Sequence, residues 1–507
     1  MTHWSPIEAH GHSAYKNISE CPPPSYESTL KTLFASHVAS DRSSILRASS
    51  RRKMTLSDMS IYMHRIGLIS SLKPATVIHV TGTKGKGSTC AFAESLCRKI
   101  CGRHTGMLTS PHLLDVRERI RLDGLPVSEE NFVTAYWNCR KHLEKYEGTD
   151  GLPILPGYFR MLTLVGLYVL RNHIFPDGRG VEVAILEVGM GGRYDATSVV
   201  ETDVRAVGWI DLDHTRILGD NCQKIAWEKG GIFRKNGTNL ALDQGMKRES
   251  ILEVLRGCAK DVEGDFTIVP QSGALSSSLK LGLPGHHQLM NAHLAVAAVE
   301  AAIGPLKSYD DALSSVYWPG RCQILPYGNN AVIYTDGAHT EKSMEHCLEW
   351  FKCASTKHQR QHKAMIFYCH HERDPVGMFR VIVDSGVSFE NVYFCPGDDT
   401  RPSSISAPSA QELLERNGMG RVKEKEGSEP LSWEETLKVL WRAVVPEGED
   451  TKLHTEKEVI KCLSLATSGF NRTDILVTGS LYVVGSALKA CNYKEKDAKG
   501  RLVFQKK

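Results

Sequence analysis

No two of the chain's 14 cysteines stand two residues apart. A zinc ribbon or a compact disulfide scaffold needs such closely spaced pairs, so both are excluded and free thiols in a reducing compartment are expected. Charge of one sign is missing too, since 62 basic residues against 58 acidic ones leave a formal charge of only +4. That balance gives no electrostatic ground for binding nucleic acid or a membrane surface. No apolar run approaches the roughly 20 residues that span a bilayer, so integral membrane association is not expected. The N-terminal stretch, with Glu8, Glu20 and Pro22-Pro23-Pro24, lacks a signal-peptide core and an Arg-rich amphipathic transit pattern. Cytosol is the expected location, with a mitochondrial form as the alternative.

What is present is ordinary globular composition, 41% hydrophobic and 24% charged over 507 residues, long enough for two or three domains. Residues 1–24 read as a polar, disordered tail. Residues 25–72 carry helical patterning interrupted by a basic, serine-rich patch at 47–53, which reads as a solvated loop. From 75 to about 267, strands alternate with helices, with buried strands at 181–188 and 204–210 and an apolar helix at 158–172. Polar residues gather just past the strand ends, the edge at which parallel α/β sheets bind ligands. Leu283-Pro284-Gly285 reads as a domain hinge, followed by an alanine-rich helix at 291–303. Strands are expected again at 331–335, 364–368, 392–395 and 475–478, with a Ser-, Pro- and Gly-rich surface excursion at 400–430. The division expected is a central domain at 25–290 and a smaller C-terminal domain at 300–507.

The densest chemical signal is Val77-Ile78-His79-Val80-Thr81-Gly82-Thr83-Lys84-Gly85-Lys86-Gly87-Ser88-Thr89. A β-branched strand breaks into a glycine-rich turn with two lysines, and a helix follows. Glycines let backbone N–H groups crowd around phosphate oxygens, and a lysine adds a cation. The spacing departs from G-x-x-x-x-G-K-[ST], because Gly87 separates Lys86 from Ser88. Ser110, in Thr109-Ser110-Pro111-His112, suits either a metal ligand or a plain Ser-Pro turn. Glu187 ends an apolar strand, where a carboxylate needs a partner or a cation such as Mg²⁺; a salt-bridged rim residue is the equal reading. Asp211, Asp213 and His214 cluster after the next strand in a pattern that favours ligation. Lys229, near Trp227 and Ile232, reads either as a part-buried lysine seeking an anion or as an ordinary helix-face residue. Arg321, on a Trp-Pro-Gly-Arg turn, reads locally as a surface arginine, although such a turn suits phosphate clamping. Asp336 and His339 matter only if the second domain closes over the loop. Cys369-His370-His371 lacks a second ligand pair and is set aside as a metal site.

Taken together and in order, Gly82-Thr83-Lys84-Gly85-Lys86-Gly87-Ser88-Thr89, Ser110-Pro111-His112-Leu113, Arg117-Glu118-Arg119-Ile120, Glu187-Val188-Gly189, Asp213-His214-Thr215, Trp227-Glu228-Lys229-Gly230-Gly231-Ile232, Trp318-Pro319-Gly320-Arg321 and Asp336-Gly337-Ala338-His339 closely resemble the eukaryotic folylpolyglutamate synthase family. The family belongs to the Mur ligase superfamily, and its loop carries the inserted glycine. The resemblance, over about residues 25–490, implies a P-loop-containing parallel-sheet ATPase domain followed by a smaller Rossmann-like α/β domain. It implies an ATP-dependent ligase that adds L-glutamate, through an acyl phosphate, to the γ-carboxylate of tetrahydrofolate or its polyglutamates. By resemblance, Gly85, Lys86, Gly87 and Ser88 bind the ATP phosphates. Arg321 and Asp336 match nucleotide contacts, with Asn291 and His339 as secondary ones. Ser110, Glu187 and His214 match ligands of Mg²⁺, with K⁺ as a further cation, and Lys229 matches a lysine carbamylated in the family.

Lys86, Lys229 and His214 are therefore the catalytic candidates, and reduced folate, glutamate and ATP the expected partners of a monomer. A paralogue acting on another carboxylic acid and a non-ligating P-loop ATPase are the alternatives. Three segments depart from the family pattern: Ser198 where asparagine is usual, the residues before Arg373, and residues 234–239. They are expected at the domain interface and the acceptor side.

Overall fold

The computed structural model describes residues 24–38, 52–146, 151–271, 279–356, 362–397, 407–420, 431–445, 450–470 and 472–494. The expected tail and most of the basic patch lie outside these residues. The first strand, β1 (Thr76–Thr81), has parallel partners on both sides. Helices cover both faces of such a strand, so its side chains are almost all buried and the sequence reads apolar without alternation.

Seven further strands complete the first sheet. They are β2 (Thr105–Leu108), β3 (Ile120–Leu122), β4 (Leu125–Pro126), β5 (Val183–Glu187), β6 (Val204–Val207), β7 (Thr238–Leu242) and β8 (Thr267–Val269). Their order is β4-β3-β2-β5-β1-β6-β7-β8. Pairing is parallel except at one edge, where β3 runs antiparallel to β2 and β4 to β3. The register sets Val80 of β1 beside Glu187 of β5, and Thr81 beside Val207 of β6. The loops leaving these three central strands therefore emerge together at one edge.

Helices Glu129–Leu143 and Tyr158–Asn172 bury one face of this sheet, through Phe132, Leu164, Val165 and Leu167 among others. Helices Lys86–Lys99 and His287–Ile303 cover the other. These two pack closely, because Ala91, Ala93, Ala292, Ala295 and Ala298 present small side chains to their shared core. The same core takes in Ala312, Leu313 and Val316. A domain division between 290 and 300 would cut through this helix and this core; the apolar packing instead continues to Val316.

The second sheet has β9 (Gln323–Tyr327), β10 (Ala331–Thr335), β11 (His362–Phe367), β12 (Asn391–Phe394), β13 (Lys452–Thr455) and β14 (Thr473–Thr478), in the order β13-β12-β11-β14-β10-β9. Only β9 is antiparallel to its neighbour. Part of the expected surface excursion is helical: Ala410–Arg416 starts at a Ser409–Glu412 capping box and buries Leu413 and Leu414 in the core. The rest of 400–430 falls largely outside the described residues. No described helix is long and apolar enough to cross a membrane.

Leu294, wholly buried between the helix pair and the sheet, tests this packing. Leu294→Ala should destabilise the protein by about 2–5 kcal/mol in urea unfolding. A loss below about 0.5 kcal/mol, the range of surface changes, would contradict the packing.

Candidate active site

The helix Lys86–Lys99 begins directly at the end of the glycine-rich turn. Its first N–H groups have no preceding helical carbonyl to bind, and no side chain caps them. They face the mouth of the loop, where the helix dipole favours an anion. Gly85 has φ +79°, and a Cβ there would fall 2.0 Å from Asn291 Oδ1, so both backbone and space demand glycine. Gly87 is different. A Cβ at that position would meet Trp318 Nε1 at 3.5 Å and Glu187 at 3.8 Å; these are ordinary contacts. Its lack of a side chain keeps the strip between the helix start and Glu187 clear.

Three lysines crowd this turn. Lys86 Nζ donates to the Gly82 carbonyl at 3.2 Å, and Lys229 Nζ donates to the same oxygen at 2.8 Å. Lys229 is only 3% exposed. Burial, then the neighbouring Lys86 charge, hold its ammonium well below the ordinary lysine range. Burial also brings Lys84 down to about 8, although Asp213 pulls the other way. Lys84 Nζ lies 3.3 Å from Asp213 Oδ2 and 3.3 Å from His339 Nε2. Because His339 Nδ1 lies 2.7 Å from the Gly337 carbonyl, that nitrogen carries the proton and Nε2 accepts from Lys84.

Glu187, 6% exposed, accepts the Ser110 N–H at 2.9 Å. Burial raises its pKa and the Lys86 charge works against that rise. Asp213 follows the opposite course. Burial would raise it, but Lys84 and then Arg373 hold its carboxyl well below the ordinary range. Its neighbour His214, at φ +50°, is brought down by burial to about 4 and is neutral near pH 7.

The second sheet supplies the opposite wall. Arg321 and Asp336 flank Gly337, and Asp336 Oδ2 accepts the Cys322 N–H at 2.9 Å. Burial raises the Asp336 pKa, and Arg321 opposes the rise. The two walls enclose a cavity of about 1090 Å³. It brings together Gly85, Lys86, Gly87, Ser88, Ser110, Glu187, His214, Asn291, Arg321, Asp336 and His339. Lys229 lies behind the turn, bonded to Gly82.

No protein-family model matches the chain. The folylpolyglutamate synthase of Arabidopsis thaliana is 31% identical to it, with 96% of this chain and 92% of that one aligned. The chain belongs to the folylpolyglutamate synthase family. A putative folylpolyglutamate synthase of Caenorhabditis elegans is likewise 31% identical, covering 94% of this chain and 95% of its own. Among solved structures, Mycobacterium tuberculosis folylpolyglutamate synthase complexed with ADP shares the fold at TM-score 0.69 and 22% identity, covering 92% of this chain and 100% of that chain. Escherichia coli FolC in complex with ADP does so at TM-score 0.66 and 23% identity, covering 92% and 98%.

Two features of this folylpolyglutamate synthase family member were not read from sequence. Arg373, from the C-terminal unit, bonds Asp213 directly and so links the two walls. Arg52, in the basic patch whose composition suits a solvated loop, lines the cavity and pairs with Glu228. The departing segments also need correction. Ser198 Oγ donates to the Gly192 carbonyl at 2.6 Å, and Arg234 Nη2 donates to the Ser198 carbonyl at 3.0 Å. These two departures therefore meet each other. With Asn236 they line a separate cavity beside the starts of β1 and β6, at the opposite edge of the sheet. Of the three segments, only His370, Glu372 and Arg373 reach the main cavity.

The family implies a divalent cation. Glu187 fits one as a buried hard-oxygen donor, and the Ser110 side chain and a neutral His214 line the same cavity. Among the described residues, no three His, Cys, Asp or Glu side chains converge as a ready-made set, so a serine or substrate oxygen would have to contribute.

The Asp213 pairing predicts an acid limb. Its folded pKa lies below the unfolded value of about 3.9, so its stabilisation is present above that value and is lost as pH falls. Melting temperature should therefore drop more steeply between about pH 5 and 2 in the wild type than in Asp213→Asn. Parallel curves would refute the pairing.

Proposed function

We propose that this chain is an ATP-dependent ligase that adds glutamate, through γ-carboxyl amide bonds, to tetrahydrofolate and its polyglutamates. One observation carries the reading: a phosphate-type helix start, Lys84, Lys86 and the buried carboxylate Glu187 face one cavity walled on its far side by the second sheet, with Lys229 bonded behind the turn. A plain nucleotide binder has no use for all of these.

A carboxylate resists attack by an amine, so it must be activated. The acceptor γ-carboxylate attacks the γ-phosphorus of ATP, giving an acyl phosphate and ADP. The glutamate amine then attacks the acyl carbon, loses a proton, and expels phosphate. Lys86 and the N–H groups of Gly87 and Ser88 stabilise the charge spreading over the transferring phosphoryl group. Arg321, Asp336 and His339 orient the nucleotide from the opposite wall, and Asn291 does so from the helix His287–Ile303 beside Gly85. Ser110, Glu187 and His214 would hold Mg²⁺, which when bound polarises the phosphoryl oxygens. Lys229, held by burial well below the ordinary lysine range, suits carbamylation by CO₂. K⁺ is a further candidate cation. Closure across the Asp213–Arg373 contact keeps water from the acyl phosphate.

Phe159, Met190, Tyr194 and Ile217 give the cavity apolar lining, and Arg52, which meets Tyr194 and Ile217, and Arg160 add cations to it. A flat heteroaromatic acceptor with an anionic tail matches that lining. The same reading makes the protein a monomer of the cytosol. The bovine and human relatives named mitochondrial make an organellar form the alternative.

Purified protein with MgATP, tetrahydrofolate and labelled glutamate should form labelled polyglutamate. Phosphate release without glutamate incorporation would sink the ligase reading, and activity only on another acid would favour a paralogue. Lys86→Ala should lower kcat by about 10²–10³-fold or more while leaving the melting temperature near wild type. Undiminished ligation in that variant would remove Lys86 from its assigned role.

A further inference from the structure

Arg52 opens a short 3₁₀ turn, Arg52–Met54, ahead of the helix Thr55–Arg65. Its guanidinium makes two parallel bonds to Glu228, Nη1 to Oε1 at 2.9 Å and Nη2 to Oε2 at 2.8 Å. The side chains are 19% and 9% exposed, so the pair is largely withdrawn from water. Nη1 also reaches the Ile217 carbonyl at 3.3 Å, and the guanidinium carbon lies 5.3 Å from the Tyr194 ring centroid. The chain makes room for this group. Gly191 has φ +72°, and a Cβ there would come within 3.0 Å of Arg52 Nη2.

Each partner belongs to a different loop of the site. Tyr194 and Gly191 follow Glu187 at the end of β5. Ile217 stands three residues after His214, whose carbonyl accepts the Ile217 N–H at 2.9 Å. Glu228 precedes Lys229 on the helix Cys222–Gly230, and its carbonyl accepts the Arg193 N–H at 2.8 Å. A single planar guanidinium thus meets the three segments that carry Glu187, His214 and Lys229.

We propose that Arg52 is a positioning residue for the ligation reaction, setting the relative placement of Glu187, His214 and Lys229 without touching the reacting atoms. The proposal rests on the ligase reading. A fork that holds both carboxylate oxygens fixes direction as well as distance, and lysine, a point charge, cannot replace it. Misplacing a catalytic group by about 1 Å can lower a rate about 100-fold.

The test is a double-mutant cycle on the full chain, in the labelled-glutamate assay with MgATP and tetrahydrofolate. Arg52→Ala should lower kcat by about 10- to 100-fold with KM for ATP changed by less than about twofold. Arg52→Ala/Glu228→Ala should be no worse than the poorer single variant, because both remove one contact. Arg52→Lys should recover little of the loss. If Arg52→Ala does not fold, Arg52→Lys carries the test with the same outcomes. A kcat within about twofold of wild type, a loss confined to KM, or multiplicative effects in the cycle would overturn the role. Wild-type protein inert on tetrahydrofolate would instead sink the ligase reading, and the positioning role with it.

Discussion

The side-chain nitrogens of Lys86 and Lys229 converge on one carbonyl oxygen, that of Gly82. Two amines at such range are tolerated only where the surroundings demand it, and burial with the Lys86 charge holds Lys229 well below the ordinary lysine range. The demand comes from the sheet: β1 is central and buried on both faces, and its last carbonyls point into the loop cluster rather than to solvent. Lys86 is placed by the helix that starts at Gly85, and Lys229 by the end of the helix Cys222–Gly230. Lys84 adds a third cation, answered by Asp213. The result is a pocket lined by more cationic than carboxylate side chains, at the helix terminus where backbone dipoles also favour an anion. A polyphosphate is the ligand chemistry that relieves this crowding.

The second wall is organised by the same charges. Asp213 stands between Lys84 of the turn and Arg373 of the C-terminal unit, and neutral His339 accepts from Lys84 behind it. One carboxylate thus ties the glycine-rich turn to the C-terminal unit. A mutation at this junction is expected to act through closure as much as through stability.

Much of this was legible in the chain. β1, β5 and β6 announce themselves because strands buried on both faces read as continuous apolar runs. The helix Tyr158–Asn172 does so through a broad apolar face. The turn residues could be placed because glycine, lysine and hydroxyl side chains lie within a few positions of one another. What sequence hid were partnerships across long separations. Arg52 and Glu228 are 176 residues apart, and nothing local distinguishes a clamping arginine from a solvated one. Arg373 and Asp213 are likewise 160 residues apart. The helix His287–Ile303 misled for another reason. Its Pro-Gly approach looks like a hinge, but its alanines let it sink into the first core. Gly87 gave the family away through spacing, while the structural requirement for glycine lies at Gly85, against Asn291.

Lys84, Lys86 and Lys229 crowd one turn suited to a polyanion, with Lys84 and Lys229 held below the ordinary lysine range. Calorimetry of MgATP binding at about pH 8, in buffers of different ionisation enthalpy, tests it directly. Lys84 sits near its midpoint there and should gain a proton as the phosphates bind. Net proton uptake is expected in the wild type, reduced in Lys84→Met. Proton release, or the absence of any buffer dependence, would contradict it.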